Sequence, residues 1–134
     1  MRAAVYLTAA FLIGSAAYLL AGPAPQTAGS DAPAVAGDAQ RGQAIFERRC
    51  TGCHAVDADR EGPHLRGVFG RKAGSVPEFS YSAALKNSGL TWDESSLDRW
   101  LRDTDAAVPG NNMGFSVPKA QDRADIIAFL RTIR

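Results

Sequence analysis

Two cysteines and a histidine fall within five residues of this chain, in the run Cys50-Thr51-Gly52-Cys53-His54. Thiols at this spacing can each bond one of the two vinyl-derived carbons of a single haem, which sets the adjacent imidazole over the iron. Other uses of the pair fit less well. A structural zinc ion needs two further ligands, and the chain has no third cysteine; His64 alone cannot complete the set. A thioredoxin-type redox pair needs a strand-and-helix setting that the flanking sequence lacks. A bridge between Cys50 and Cys53 would close a tiny loop and stabilise little.

An iron bound by one imidazole has a second axial position to fill. Met113 is the only methionine besides the initiator. A lone methionine is usually core filler, yet Val108-Pro109-Gly110-Asn111-Asn112-Met113-Gly114-Phe115 reads as a turn-rich loop. His64 is the rival ligand, but so soon after His54 it belongs on the His54 side of the ring. Met113 is therefore the expected distal ligand. A peroxidase-type enzyme would need that position open and a distal acid or base beside it.

These residues need elements to hold them. Ala39, Gly42, Ile45, Phe46 and Arg49 recur at three- and four-residue steps, which predicts a helix over 38–49 with Asp38 as its cap. Upstream, residues 3–22 are twenty positions without a charge, preceded by Arg2. As a helix this run is about 30 Å long, enough to cross a bilayer; it also suits the apolar region of an export signal. Residues 1–22 are accordingly a signal-anchor or a signal peptide. Residues 23–37, rich in Ala, Pro and Gly, form a linker unable to bury a face. That leaves 38–134 as one domain, small for a self-sufficient core, so something beyond side chains is expected to complete it. The chain carries 15 Lys and Arg against 14 Asp and Glu, a balance that argues against nucleic-acid binding.

With the motif and its partners in view, the chain resembles a class I c-type cytochrome, similar to mitochondrial cytochrome c and its bacterial membrane-anchored or periplasmic relatives. The strings that carry the likeness are GDAQRGQAIFERRCTGCHAV, EGPHLRGVFGRKAG, FSYSAALKNSGLTW, VPGNNMGF and RADIIAFL. The resemblance implies an all-α fold around one haem c, attached through thioethers from Cys50 and Cys53, with His54 and Met113 as iron ligands. It implies that the Pro63 carbonyl accepts a hydrogen bond from the ligand histidine. Arg71, Tyr81 and Trp92 match residues that approach the haem propionates. Gly42 and Phe46 match the face that crosses the terminal helix at Ile126, Phe129 and Leu130.

The implied work is one-electron transfer between respiratory or photosynthetic membrane complexes, not enzyme catalysis. Its expected partners are a cytochrome bc1-type complex and a terminal oxidase, with no small-molecule substrate. The alternative is a fixed haem-bearing subunit of a larger oxidoreductase complex. The expected place is the bacterial periplasm, with residues 3–22 as inner-membrane anchor, or free in the periplasm after cleavage. Departures from the family pattern are Trp100 in place of a tyrosine near the methionine, Leu85 in place of an asparagine, and His64 in place of an asparagine. Lysines from Gly37 onward number only three, Lys72, Lys86 and Lys119, so steering toward an acidic partner is expected to be weak.

Overall fold

In the computed structural model, residues 35–134 are described. The expected N-terminal helix over 1–22 and nearly all of the 23–37 linker lie outside them. Among the described residues, five helices and one isolated bridge, Lys72 with Thr91, are the regular elements. None of these helices is long and apolar enough to cross a membrane.

Helix α1 spans Ala39–Arg49, within one residue of its sequence expectation. Asp38 is extended and its carboxylate accepts from the Arg41 N–H, which satisfies a donor that the first turn leaves free. The helix buries Gly42, Ile45 and Phe46. Short α2, Ala83–Lys86, is capped by the Ser82 hydroxyl. Helix α3, Glu94–Arg102, opens with a reciprocal capping box between Asp93 and Ser96. Asp103 ends α3 and caps the single turn α4, Thr104–Ala107. Helix α5 is Ala120–Leu130.

The two long terminal helices, α1 and α5, cross tightly. A Cβ added to Gly42 would lie 1.9 Å from the Asp125 carbonyl oxygen, so only glycine permits this approach. Phe46 meets Phe129 with ring centroids 5.2 Å apart. At the edge of the crossing the Asp125 carboxylate is 2% exposed. It accepts from the Asp38 N–H at 2.7 Å, from Arg41 Nε at 2.9 Å and from Gln121 at 2.9 Å. Helix α3 packs on α5 through the same core, where Leu97, Trp100 and Leu101 join Ile126 and Leu130.

The region between α1 and α3 is mostly loop, pinned by scattered backbone bonds. Gly67 N–H reaches the Ile133 carbonyl at 2.7 Å, which ties the loop to the C-terminus. Gly70 and Arg71 exchange bonds with Trp92 at 2.8 and 2.9 Å, and these set Arg71 beside the start of α3. Glu78 stands in this loop at φ 63°, a left-handed conformation unusual for a residue with a side chain.

Candidate functional site

Helix α1 ends by running straight into the cysteine motif. The Cys50 N–H closes the last helical turn on Phe46, and the N–H groups of Cys53 and His54 both return to the Cys50 carbonyl, at 3.1 and 2.8 Å. One tight turn thus gathers both thiols and the imidazole. Cys50 is half-buried and Cys53 exposed, and the two are not bridged. Burial pushes the Cys50 thiol up to about 11, against the pull of Arg49 in the other direction. At neutral pH it is a protonated thiol, weak both as nucleophile and as metal ligand. A thioether, with no proton to lose, suits the same apolar wall.

The His54 ring is fixed on two sides. Its Nδ1 lies 2.8 Å from the Pro63 carbonyl oxygen. A carbonyl only accepts, so Nδ1 carries the proton and Nε2 keeps its lone pair free for a metal. On the other side the ring rests against Gly62, where an added Cβ would lie 2.2 Å from His54 Cε1. The Gly62 N–H is itself held by the Cys53 carbonyl at 2.8 Å. The Gly62-Pro63 turn is therefore a cradle for one imidazole.

A cavity of about 370 Å³ opens beside this turn, within the range of cofactor sites, roughly 300–1,000 Å³. All eight residues expected at the site line it: Cys50, Cys53, His54, Pro63, Arg71, Tyr81, Trp92 and Met113. Side chains of α3 and α5, among them Leu97, Leu101, Ile126 and Leu130, supply apolar wall. Leu85 and Trp100, the two departures in the sequence, line the cavity as well. Trp100 packs on Trp92 at 5.3 Å between ring centroids. His64, the rival ligand, is not among the lining residues; its Nδ1 pairs with Asp59 at 2.8 Å.

The polar rim is only partly as expected. The Arg71 guanidinium lines the cavity while donating to the backbone carbonyls of His64 and Arg66, at 2.9 and 3.0 Å. These two bonds fix its plane, and its other N–H groups meet no acceptor among the described residues. Burial pushes the Tyr81 phenol up, so it stays a neutral donor at physiological pH. Phe79 meets Tyr81 edge-on at 4.8 Å.

Sequence reasoning missed the residues that fix the Met113 loop. Asn111 accepts the Met113 N–H through its amide oxygen and donates through its amide nitrogen to the Thr104 carbonyl of α4, and the Thr104 hydroxyl accepts the Phe115 N–H. Arg49 lies over the Phe115 ring at 5.1 Å and donates to the Ser116 carbonyl at 3.0 Å. The available signal was an asparagine two residues before Met113 in a turn, a residue type that often binds nearby backbone.

The turn, the cradle, the apolar volume and the neutral or cationic rim together fit a haem held by two thioethers. Comparison with known proteins points the same way. The cytochrome c family pattern matches residues 39–134. Cytochrome c2 of Rhodomicrobium vannielii is 50% identical over 101 residues, which cover 72% of this chain and 80% of that protein. Cytochrome c of Euglena viridis is 43% identical over 101 residues, 73% of this chain and 99% of its own. The solved structure of cytochrome cH from Methylobacterium extorquens superposes with a TM-score of 0.69 at 42% identity, covering 72% of this chain and 99% of its own.

Proposed function

The chain belongs to the cytochrome c family, and from that premise we propose that it carries single electrons between membrane complexes through a His54/Met113-ligated haem. It has the class I cytochrome c fold, binds one covalent haem c and is an electron carrier, not an enzyme. The observation that carries the finer reading is the convergence of Cys50, Cys53, His54 and Met113 on one cavity.

When bound, the haem supplies one iron that alternates between ferric and ferrous. The protein's part is to hold and tune it. Cys50 and Cys53 anchor it, so it cannot dissociate. His54 offers Nε2 because Pro63 holds the proton on Nδ1, a bond that also raises the ligand's basicity. Met113, a soft thioether, favours the reduced state and so a relatively high potential. Arg71, Tyr81 and Trp92 provide one cation and two neutral donors for partly buried carboxylates. With His54 and Met113 both holding the iron, no position would be left for a substrate and little would rearrange. Electrons pass at the haem edge beside Cys53, Met113 and Phe115.

The domain works in the bacterial periplasm, between a quinol-oxidising bc1-type complex and a terminal oxidase, with residues 3–22 as its membrane anchor. The uncharged run and the linker behind it support this arrangement. The oxidised native protein is expected to show the red absorption band of Met-ligated ferric iron; its absence would defeat the axial assignment. N-terminal sequencing of the mature protein tests the anchor. A mature chain beginning downstream of residue 22 would show a cleaved signal instead.

A further inference from the structure

Met113 lines the cavity from a loop between α4 and α5. Its place is set through the backbone. The Asn111 amide oxygen accepts the Met113 N–H at 2.7 Å and lies 3.4 Å from the Gly114 nitrogen. The amide nitrogen lies 3.0 Å from the Thr104 carbonyl, 3.0 Å from the Val108 carbonyl and 2.9 Å from Asp105 Oδ1. Thr104 is fully buried. Its hydroxyl accepts the Phe115 N–H at 2.9 Å, and its own N–H donates to the Phe115 carbonyl at 3.2 Å. Both flanks of Met113 are therefore tied to one buried residue at the start of α4. Resting on the reading of Met113 as iron ligand, we propose that Asn111, backed by Thr104, is a positioning residue that keeps Met113 on the iron and closes that coordination site to outside ligands.

The chemistry asks for an amide. One end must accept from Met113 while the other donates to α4, and a side-chain amide has both functions on one short, rigid group. An aspartate keeps the size and the acceptor but loses the donors and faces the Asp105 carboxylate. Gly110 at φ 85° and Gly114 at φ 54° bend the chain on either side, so only a short stretch, Asn112 to Gly114, spans the two anchors. Without the Asn111 bond, Met113 is held on one flank alone.

The test uses oxidised holoprotein and reads two signals: the red absorption band of Met-ligated ferric iron, and the rate at which added imidazole displaces the methionine. Asn111→Ala and Asn111→Asp are each expected to weaken the band and to speed capture about five- to tenfold, equivalent to about 1 to 1.4 kcal/mol. Gln121→Ala, which loosens the distant α1–α5 contact, is expected to capture at the wild-type rate. Wild-type band and rate in both Asn111 variants would overturn the proposal. Equal acceleration in the Gln121 variant would also overturn it, since general loosening would then be the cause. A wild-type protein lacking the band would instead remove the Met113 assignment itself, and the proposal with it.

Discussion

A histidine proposed to hold an iron needs its ring plane set as well as its position, and here a glycine packs against the ring. Gly62 lies flat against the His54 ring because it has no Cβ; any other residue would meet the imidazole at 2.2 Å. Gly62→Ala is therefore expected to rotate or displace His54 and to break its 2.8 Å bond with Pro63. In holoprotein this should shift the reduction potential measurably, while helix content by circular dichroism stays close to wild type. An unchanged potential would show that the cradle does not orient the ligand. Glu78 presents the opposite case. It is exposed, at φ 63°, and forms no ion pair among the described residues. The left-handed conformation costs an L residue roughly 1–2 kcal/mol, offset in part by glycine's greater unfolded-state freedom. Glu78→Gly is expected to stabilise the protein by about 0.5–1 kcal/mol, read by denaturant unfolding.

Helices α1 and α5 form the frame on which the cysteine turn is hung. Their crossing is closed by Asp125, which draws the N-cap backbone and the Arg41 side chain of α1 onto α5. The Arg41 hydrogen bond leads in holding this carboxyl down at about 2, against the upward push of burial. A carboxyl depressed in the folded state stabilises the fold above its unfolded value near 3.9. That contribution, about 2 kcal/mol, is lost as pH falls from roughly 4 through 2. Asp125→Asn should therefore lower stability at pH 7 and flatten its decline between about pH 4 and 2, measured by thermal unfolding across that range. An unaltered acid limb would show that Asp125 is not the titrating clamp. A second cross-link, from buried Arg123, joins Asp98 of α3 at 2.7 Å to the carbonyls of Val117 and Pro118 after the Met113 loop. It connects the packing of the helices to the segment that carries Met113, the proposed second ligand.

Taken as one body, residues 37–134 carry 14 basic and 13 acidic side chains. Local pairing removes more of the field: Arg41 with Asp125, Arg66 with Asp57, Arg102 and Arg123 with Asp98, and Arg131 with Glu94. Long-range steering of a charged partner falls with such cancellation. The rate of electron exchange with a small multiply charged anion is expected to change less than about threefold between low and physiological ionic strength. A steep salt dependence would reveal a one-signed field at the exposed edge that the total charge conceals. An anchor at residues 3–22 would make strong steering less necessary, because confinement raises the effective concentration of a partner in the same membrane.

Local chemistry was legible along the chain. The spacing of Cys50, Cys53 and His54, the cap at Asp38 and the lone Met113 in a turn each follow from residue type and short separation, the range over which backbone geometry is fixed. All eight expected site residues line one cavity for that reason and because the family strings recur in order. The supports were not legible, because they join positions far apart or are chosen among equivalent partners. No local rule sends Arg71 to the carbonyls of His64 and Arg66, aims Asn111 at Thr104, or lays Arg49 across Phe115. The sequence by itself determined which side chains gather at the haem cavity. Tertiary structure decided what holds them there, since that depends on where α4, α5 and the loops come to rest around the cavity.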